Sequence, residues 1–271
     1  MRGRRAAHLS VADLGTGPPV VLLHGLTGSG LYWGARFDAL GARHRVVVPD
    51  LLGFGWSPRP AVGYGPDDHA AAVEQCLLDL HVDDPVVIGA HSLGVLIALR
   101  VAVRRRIAVA GVVGFGPPVY ASRGAAKAHV SASGPMSRLL VLPGGLAQTA
   151  CRWVCSHRKI AAGLAILTHP GLPAPIAADS VQHSWESYSE TLDRVVLAAD
   201  AASWFDDLDV PVLLVTGHRD PVVDHALLDD LARKHIGVRH ERWDGGHHLP
   251  LTDAERCVGV IEQVATRPAA G

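Results

Sequence analysis

Ser92 lies in a sequence context that could make its hydroxyl group a nucleophile. It follows the apolar run 86–90 and precedes a helical pattern that begins at Leu93. Ala90 stands two positions before the serine and Gly94 two positions after it. Small residues are needed there when a strand turns directly into a helix and exposes the residue between them. The sequence therefore predicts a strained strand-to-helix turn at Ser92, with alanine where the strict pattern has glycine.

A base and an acid that could activate this hydroxyl occur downstream. Serine is a weak nucleophile until a base takes its proton, and histidine does this best when a carboxylate fixes its tautomer. Asp220 follows the predicted buried strand 211–216, and His247 follows the predicted strand 238–243 with two glycines directly before it. Ser92, Asp220 and His247 are therefore the predicted catalytic residues.

Other residues in the same loops compete for these roles. Asp224 and Asp244 could supply the acid, and His248 could replace its neighbour as the base. An acid after the preceding strand is disfavoured, because residues 114–118 contain no carboxylate. Ser92 itself could be no more than the N-cap of a helix, which is a common role for serine.

The elements that must position these residues alternate along the chain. The predicted strands cover residues 19–24, 44–49, 85–89, 109–115, 211–216 and 238–243, and the predicted helices cover 67–80, 93–103, 225–235 and 254–266. Alternation of this kind is typical of a mostly parallel sheet with helices on both faces, so the predicted fold class is α/β. Residues 8–13 are expected to pair with 19–24 as an antiparallel edge strand.

The alternation stops between residues 117 and 204. This stretch is interrupted by proline and glycine at 143–145 and 169–175, and its helical patterns near 145–156 and 184–199 have no strand between them. We interpret residues 117–204 as a helical cap inserted over the carboxyl ends of the strands. Residues 1–116 and 205–271 then form the core domain.

Composition limits the classes of partner. The chain has 271 residues, of which 48% are hydrophobic, and 25 basic residues balance 26 acidic ones. Such a balance creates no overall field that would gather nucleic acid or an anionic membrane. No apolar run is long enough for a signal peptide or a membrane span. We expect a cytoplasmic protein that acts on a small molecule, with its oligomeric state left open.

The cysteines are too few for a disulfide framework in a chain of this length. They are Cys76, Cys151, Cys155 and Cys257. Cys151 and Cys155 are one helical turn apart with His157 close by, but the second half of a zinc pattern is missing. The expectation is therefore buried or half-exposed thiols, with no metal and no cofactor.

The order of Ser92, Asp220 and His247, each after a strand, resembles that of the α/β-hydrolase family from about residue 8 to residue 264. Three further motifs support the resemblance: His-Gly-Leu-Thr-Gly-Ser-Gly at 24–30, Asp-Leu-Leu-Gly-Phe-Gly-Trp-Ser at 50–57, and the glycine three positions before Asp220. The resemblance implies an oxyanion hole made by the backbone N–H groups of Leu26 and Leu93.

Three polar residues near these motifs are expected to support the structure. His24 is predicted to hold the oxyanion loop through hydrogen bonds, and Asp50 to stabilise its own turn. His91 is expected to pack beside the site or lie at its rim. Several aromatic side chains could line an apolar pocket or pack between cap and core: Tyr32, Trp33, Trp153, Trp185, Tyr188, Trp204 and Phe205.

The resemblance implies ester hydrolysis through an acyl-enzyme as the leading function. A serine nucleophile argues against relatives that open epoxides or displace halide with a carboxylate. Carbon–carbon hydrolases of the family place an asparagine near the site and a tryptophan after the catalytic histidine, whereas this chain has no asparagine and has His248 there. Perhydrolases carry an aromatic residue and a methionine where Leu26 and Leu93 stand. Acyl transfer, thioester cleavage, carbon–carbon cleavage and ligand binding with low turnover remain alternatives.

Overall fold

A computed structural model describes residues 8–134, 145–169, 171–198 and 200–266. Predictions that involve residues 1–7, 143–144, 170, 199 or 267–271 lie outside this range. One seven-stranded sheet runs through the described residues in the order β1-β3-β2-β4-β5-β6-β7. Its strands are β1 (Val11–Leu14), β2 (Pro19–Leu23), β3 (Arg45–Pro49), β4 (Val86–His91), β5 (Val109–Phe115), β6 (Val212–Gly217) and β7 (Val238–Trp243). The predicted α/β fold class is confirmed.

The pairing of the edge strand differs from the prediction. β1 is antiparallel to β3, with Val11 opposite Pro49, and it does not pair with β2. β2 has no free edge for β1, because it is hydrogen-bonded in parallel to β3 on one side and to β4 on the other. The expectation that residues 8–13 pair with 19–24 was therefore wrong.

Helices cover both faces of the sheet. They are α1 (Gly34–Phe37), α2 (Pro66–Asp79), α3 (Leu93–Arg104), α4 (Arg123–Ala132), α5 (Gly145–Ser156), α6 (Arg158–Thr168), α7 (Ala174–Asp179), α8 (Trp185–Thr191), α9 (His225–Lys234), α10 (Leu249–Thr252) and α11 (Ala254–Ala265). Alternate residues of β2 join opposite cores: Leu23 packs with the α3 side, and Leu22 packs with Ile261 on the α11 side. A strand buried on both faces explains why the sequence shows continuous apolar runs.

Between β5 and β6, the described residues contain helices and no strand. Helices α5 and α8 correspond to the two helical patterns, whereas α4 and α6 were not predicted. Helix α8 continues into a single π-helical stretch, Leu192–Leu197, and Ser203–Asp207 form a short 3₁₀ turn before β6. We call residues 117–204 the helical insertion.

The helical insertion contacts loops that follow three of the parallel strands. Helix α7 packs on the 3₁₀ turn Gly30–Tyr32 after β2. His183 forms an isolated bridge with Phe54 in the loop after β3. The hydroxyl of Tyr120 donates to the carbonyl of Val222 after β6, at 2.7 Å. Since all these loops follow carboxyl ends of strands, the insertion lies at that edge of the sheet.

Within the described part of the chain, no helix is long and apolar enough to cross a membrane.

Candidate active site

The three predicted catalytic side chains meet at the carboxyl edge of the sheet. His247 Nε2 lies 3.1 Å from the hydroxyl oxygen of Ser92, and His247 Nδ1 lies 2.8 Å from Oδ2 of Asp220. A carboxylate only accepts, so Nδ1 carries the proton and Nε2 is left to accept from the serine. This arrangement can deprotonate a serine hydroxyl and stabilise the imidazolium that results.

Ser92 has the backbone strain expected of a nucleophile turn. Its φ and ψ are 53° and −121°, a combination that L residues rarely adopt. Its N–H donates to the carbonyl of Phe115 at 2.9 Å, and α3 begins at the next residue. Gly94 lets that helix approach β2, because an added Cβ would lie 2.4 Å from the carbonyl oxygen of Leu23.

Alanine fits at the first small position of this turn because its neighbour in β5 is a glycine. Ala90 is fully buried and pairs in register with Gly114. A Cβ added to Gly114 would lie 2.6 Å from a methyl group of Val95 in α3. The space beneath α3 therefore accommodates the methyl group of Ala90 because the neighbouring Gly114 has no side chain.

The acid is held more rigidly than the base. The side chain of Asp220 is fully buried, whereas that of His247 is 19% exposed. Oδ1 of Asp220 also accepts from the N–H of Val222 at 3.0 Å, so both carboxylate oxygens are bonded. Gly116, with φ of +59°, borders this pair, and a Cβ there would lie 3.0 Å from Nδ1 of His247.

The competing acids serve other purposes. Oδ1 of Asp224 accepts from the N–H of Leu227 at 3.1 Å and caps α9. Asp244 is exposed and forms a 2.6 Å ion pair with Arg219. Neither carboxylate is placed to orient His247.

The loop that would carry the oxyanion donors is supported by His24, as the sequence suggested. Nδ1 of His24 donates to the carbonyl of Gly25 at 2.8 Å, and Nε2 accepts from the N–H of Leu51 at 2.8 Å. Burial lowers the pKa of His24, so the neutral ring that makes both bonds is favoured. Leu26 follows directly in this loop. Leu93 stands at the N-terminus of α3, where the helix dipole favours negative charge.

Asp50 ties its own turn to the same loop. Its Oδ1 accepts from the N–H of Gly30 at 2.7 Å, and its Oδ2 accepts from the N–H of Trp56 at 2.8 Å. The expectation of a structural role matches these bonds, since both oxygens are used by backbone donors.

A cluster of rings lies behind His247 and was only partly predicted. Nε2 of His91 donates to the carbonyl of His247 at 3.0 Å, and the ring of His91 stacks on Tyr32 at 4.5 Å. The hydroxyl of Tyr32 is 3.3 Å from Nδ1 of His248. Burial lowers the pKa of His91 well below its usual value and that of His248 to about 4. Both rings are therefore neutral near pH 7, and His91 helps to hold the backbone of the base.

One group of side chains among the described residues could hold a metal ion. It consists of Cys151, Cys155 and His183. His157, which the sequence placed beside the cysteines, instead lies with Nδ1 3.0 Å from the carbonyl of Trp153. His183 was missed because it is 28 residues after Cys155 along the chain.

The comparisons with known proteins agree with this architecture. A family model described as "Alpha/beta hydrolase family" matches residues 20–260. The chain belongs to the alpha/beta hydrolase family.

Two curated relatives are named as haloalkane dehalogenases, and they align with different shares of the chain. Haloalkane dehalogenase 2 of Mycobacterium tuberculosis (strain ATCC 25618 / H37Rv) is 39% identical over 113 residues, which is 41% of this chain and only 38% of that relative. Haloalkane dehalogenase of Mycobacterium marinum is 31% identical over 252 residues, covering 86% of this chain and 80% of the relative.

Among solved structures, esterase RhEst1 from Rhodococcus sp. ECU1013 superimposes with a TM-score of 0.73. It is 22% identical and covers 97% of this chain and 98% of its own. A likeness at this identity supports the fold and leaves the chemistry to be argued from the site.

Proposed function

We propose that this protein is a serine hydrolase that cleaves carboxylic esters or related acyl substrates through an acyl-enzyme. The observation that carries the proposal is the continuous chain of hydrogen bonds from Ser92 through His247 to Asp220, at 3.1 and 2.8 Å. In the first step His247 Nε2 takes the serine proton while the serine oxygen attacks the carbonyl carbon. Asp220 stays ionised and stabilises the imidazolium.

The proposed oxyanion donors are the backbone N–H groups of Leu26 and Leu93. Charge that develops on the carbonyl oxygen would be met by both donors, and each is worth about 3 kcal/mol of transition-state stabilisation in comparable sites. The tetrahedral intermediate collapses when the bond to the leaving alkoxide breaks and His247 returns the proton to it. Water then attacks the acyl-enzyme by the same route, which regenerates Ser92.

Halide displacement is disfavoured even though the named relatives are dehalogenases. If Ser92 displaced a halide from a carbon atom, it would form an alkyl ether. An ether has no carbonyl carbon that water could attack, so this site could not release the alkyl group. An acyl-serine ester has such a carbon, and the triad geometry suits its hydrolysis.

We propose that the helical insertion, residues 117–204, acts as a cap and that residues 1–116 and 205–271 form the core domain. Support comes from its contacts with loops after β2, β3 and β6. A cap at this edge would shape the acyl and alcohol pockets and exclude water. None of the four cysteines forms a disulfide, which supports a reducing compartment such as the cytoplasm.

The test is Ser92→Ala with a short-chain p-nitrophenyl ester. We expect kcat to fall by about 10⁴-fold or more, because removal of a triad nucleophile leaves only binding and the oxyanion hole. A fluorophosphonate probe should label Ser92 and no other serine in the wild-type protein, as mapped by mass spectrometry. Ser203→Ala is the matched control, because that hydroxyl only caps a turn through the carbonyl of Asp200. Undiminished turnover by folded Ser92→Ala protein would disprove the assignment.

The same assay can separate hydrolysis from its alternatives. A panel of esters, thioesters and 1,3-diketones, each with and without an added alcohol or amine, distinguishes ester, thioester and carbon–carbon cleavage from acyl transfer. Tight ligand binding without turnover across the panel would favour a binding role.

A further inference from the structure

Two cysteines and a histidine converge inside the helical insertion, outside the proposed catalytic site. Cys151 and Cys155 lie on α5, and His183 lies just before α8. Their ligand atoms all fall within 4.8 Å of one another, and the Sγ of Cys151 is 3.9 Å from Nδ1 of His183. Cys151 and His183 are each only 7% exposed, and Cys155 is half-buried.

The spacing of the two cysteines is suited to a shared ion. Residues four apart on a helix project from the same face, as in helical motifs that bind zinc through two side chains. In a tetrahedral site with Zn–S of about 2.3 Å and Zn–N of about 2.1 Å, neighbouring ligand atoms lie about 3.5 to 3.8 Å apart. The 3.9 Å separation of Cys151 and His183 is already close to that requirement.

His183 is held in place from several sides. Its backbone bridges to Phe54 of the core, and its ring packs at 5.5 Å from Tyr188. Arg158 donates to the carbonyl of His183 at 2.9 Å, and the thiol of Cys155 donates to the same carbonyl at 3.2 Å. An ion would replace the S–H hydrogen bond of Cys155 and the 3.2 Å contact of His183 Nδ1 with the carbonyl of Ser184. The bridge to Phe54, the bond from Arg158 and the packing against Tyr188 would remain to hold His183.

The charges of such a site balance. Binding requires both sulfurs as thiolates, so each Zn²⁺ ion displaces two protons and forms two Zn–S bonds with no net charge. The adjacent guanidinium of Arg158 would oppose a bare dication. It does not oppose a neutral dithiolate–zinc group.

We propose that Cys151, Cys155 and His183 bind one Zn²⁺ ion, with water as the fourth ligand. The thiolate and imidazole donors select a borderline-soft ion over Mg²⁺ or Ca²⁺, which take oxygen ligands. The ion fastens α5 to the segment that is bridged to Phe54, and so joins the insertion to the core. The site is independent of Ser92, and its test needs no ester turnover.

Cobalt is the probe for the test. Chelator-treated full-length protein is titrated anaerobically with Co²⁺, whose thiolate charge-transfer and d–d absorption bands report sulfur ligation and tetrahedral geometry. We expect one equivalent of Co²⁺ to saturate these bands, with release of the thiol protons, and one equivalent of Zn²⁺ to abolish the bands by displacing the cobalt without further proton release. Cys151→Ser, Cys155→Ser and His183→Ala should each lower the affinity for Co²⁺ by at least about 100-fold, because loss of a residue that only supports a ligand already costs about 10- to 100-fold.

Controls come from the same chain. Cys76→Ala and Cys257→Ala remove buried cysteines outside the group, and His157→Ala removes the histidine nearest in sequence; all three should leave the bands unchanged. If a ligand variant fails to fold, alkylation of wild-type protein gives an independent answer: Zn²⁺ should protect the half-buried Cys155 from iodoacetamide. Absence of thiolate–cobalt bands in wild-type protein, bands that persist in the folded cysteine variants, or alkylation that Zn²⁺ does not slow would overturn the proposal.

Discussion

The parallel sheet and helix α6 of the helical insertion differ in how they place their apolar residues. Leu22, Leu23 and Leu214 in the strands are fully buried. On α6, by contrast, Ile160 is 58% exposed and Leu167 is 77% exposed. The satellite core beneath α6 is built mainly from small side chains such as Ala161 and Ala165. The proposed catalytic residues Ser92, Asp220 and His247 therefore lie at the edge of a fully buried sheet, whereas α6 leaves large apolar side chains exposed.

The two regions also differ in how charges are matched. No Asp or Glu occurs between Asp84 and Asp179 along the chain. Arg104 on α3 is nevertheless paired with Glu74 of α2 at 2.7 Å. No carboxylate of the described residues forms an ion pair with Arg152 or Lys159 of the insertion. The net charge of the whole chain is near zero, but the segment between Asp84 and Asp179 therefore has an excess of positive charge.

The largest expected effect is on kcat, and it concerns the buried acid at the carboxyl edge of the sheet. Asp220→Asn is expected to lower kcat by about 10³- to 10⁴-fold, because the amide no longer fixes the tautomer of His247 or stabilises its charged form. Asp244→Asn is the matched control, since that exposed carboxylate pairs only with Arg219. We expect it to change kcat less than about twofold. Equal losses in the two variants would show that the buried acid has no special role.

A second prediction compares core and insertion by unfolding. Leu214→Ala should lower the free energy of unfolding by about 2 to 5 kcal/mol, because it leaves a cavity in a fully buried strand. Leu167→Ala should change it by less than about 0.5 kcal/mol, since that side chain is mostly exposed. Urea titrations followed by circular dichroism measure both. A loss of more than about 2 kcal/mol in the second variant would mean that the face of α6 is covered in solution.

The smallest effect concerns the junction between the two regions. Nε2 of His69 in α2 lies 3.0 Å from the hydroxyl of Thr191 in α8, and burial lowers the pKa of His69 to about 3. The unfolded chain binds a proton at this histidine near pH 6.5 and the folded chain does not. Stability is therefore full above pH 6.5 and falls as the pH drops towards 3, by about 1.4 kcal/mol per pH unit from this group.

His69→Gln should remove that contribution. The free energy of unfolding, measured in urea at pH 7, 6 and 5, should fall less steeply with acid in the variant than in the wild type. His218→Gln replaces an exposed histidine and should leave the wild-type slope unchanged. An unaltered slope in His69→Gln would show that the buried ring does not set the acid sensitivity of this junction.

Much of the fold was predictable because β-strands buried on both faces have a strong sequence pattern. The five inner strands, β2 to β6, and the helix after Ser92 were found from continuous apolar runs and periodicity. The partner of β1 was not, because pairing depends on which strand edge remains open after the sheet assembles. Helices α4 and α6 were missed because each buries only alanine side chains, Ala126 on α4 and Ala161 and Ala165 on α6, which gives little periodic apolar signal.

By itself, the sequence determined the order of strands and helices, the α/β fold class, and the candidate serine, acid and histidine. These follow from local patterns: apolar runs, small residues at a tight turn, and polar residues directly after strands. Tertiary structure alone decided which rings surround His247, that His183 rather than His157 lies beside Cys151 and Cys155, and where the insertion touches the core. Those contacts join residues far apart in the chain, so their positions depend on packing that no local pattern encodes.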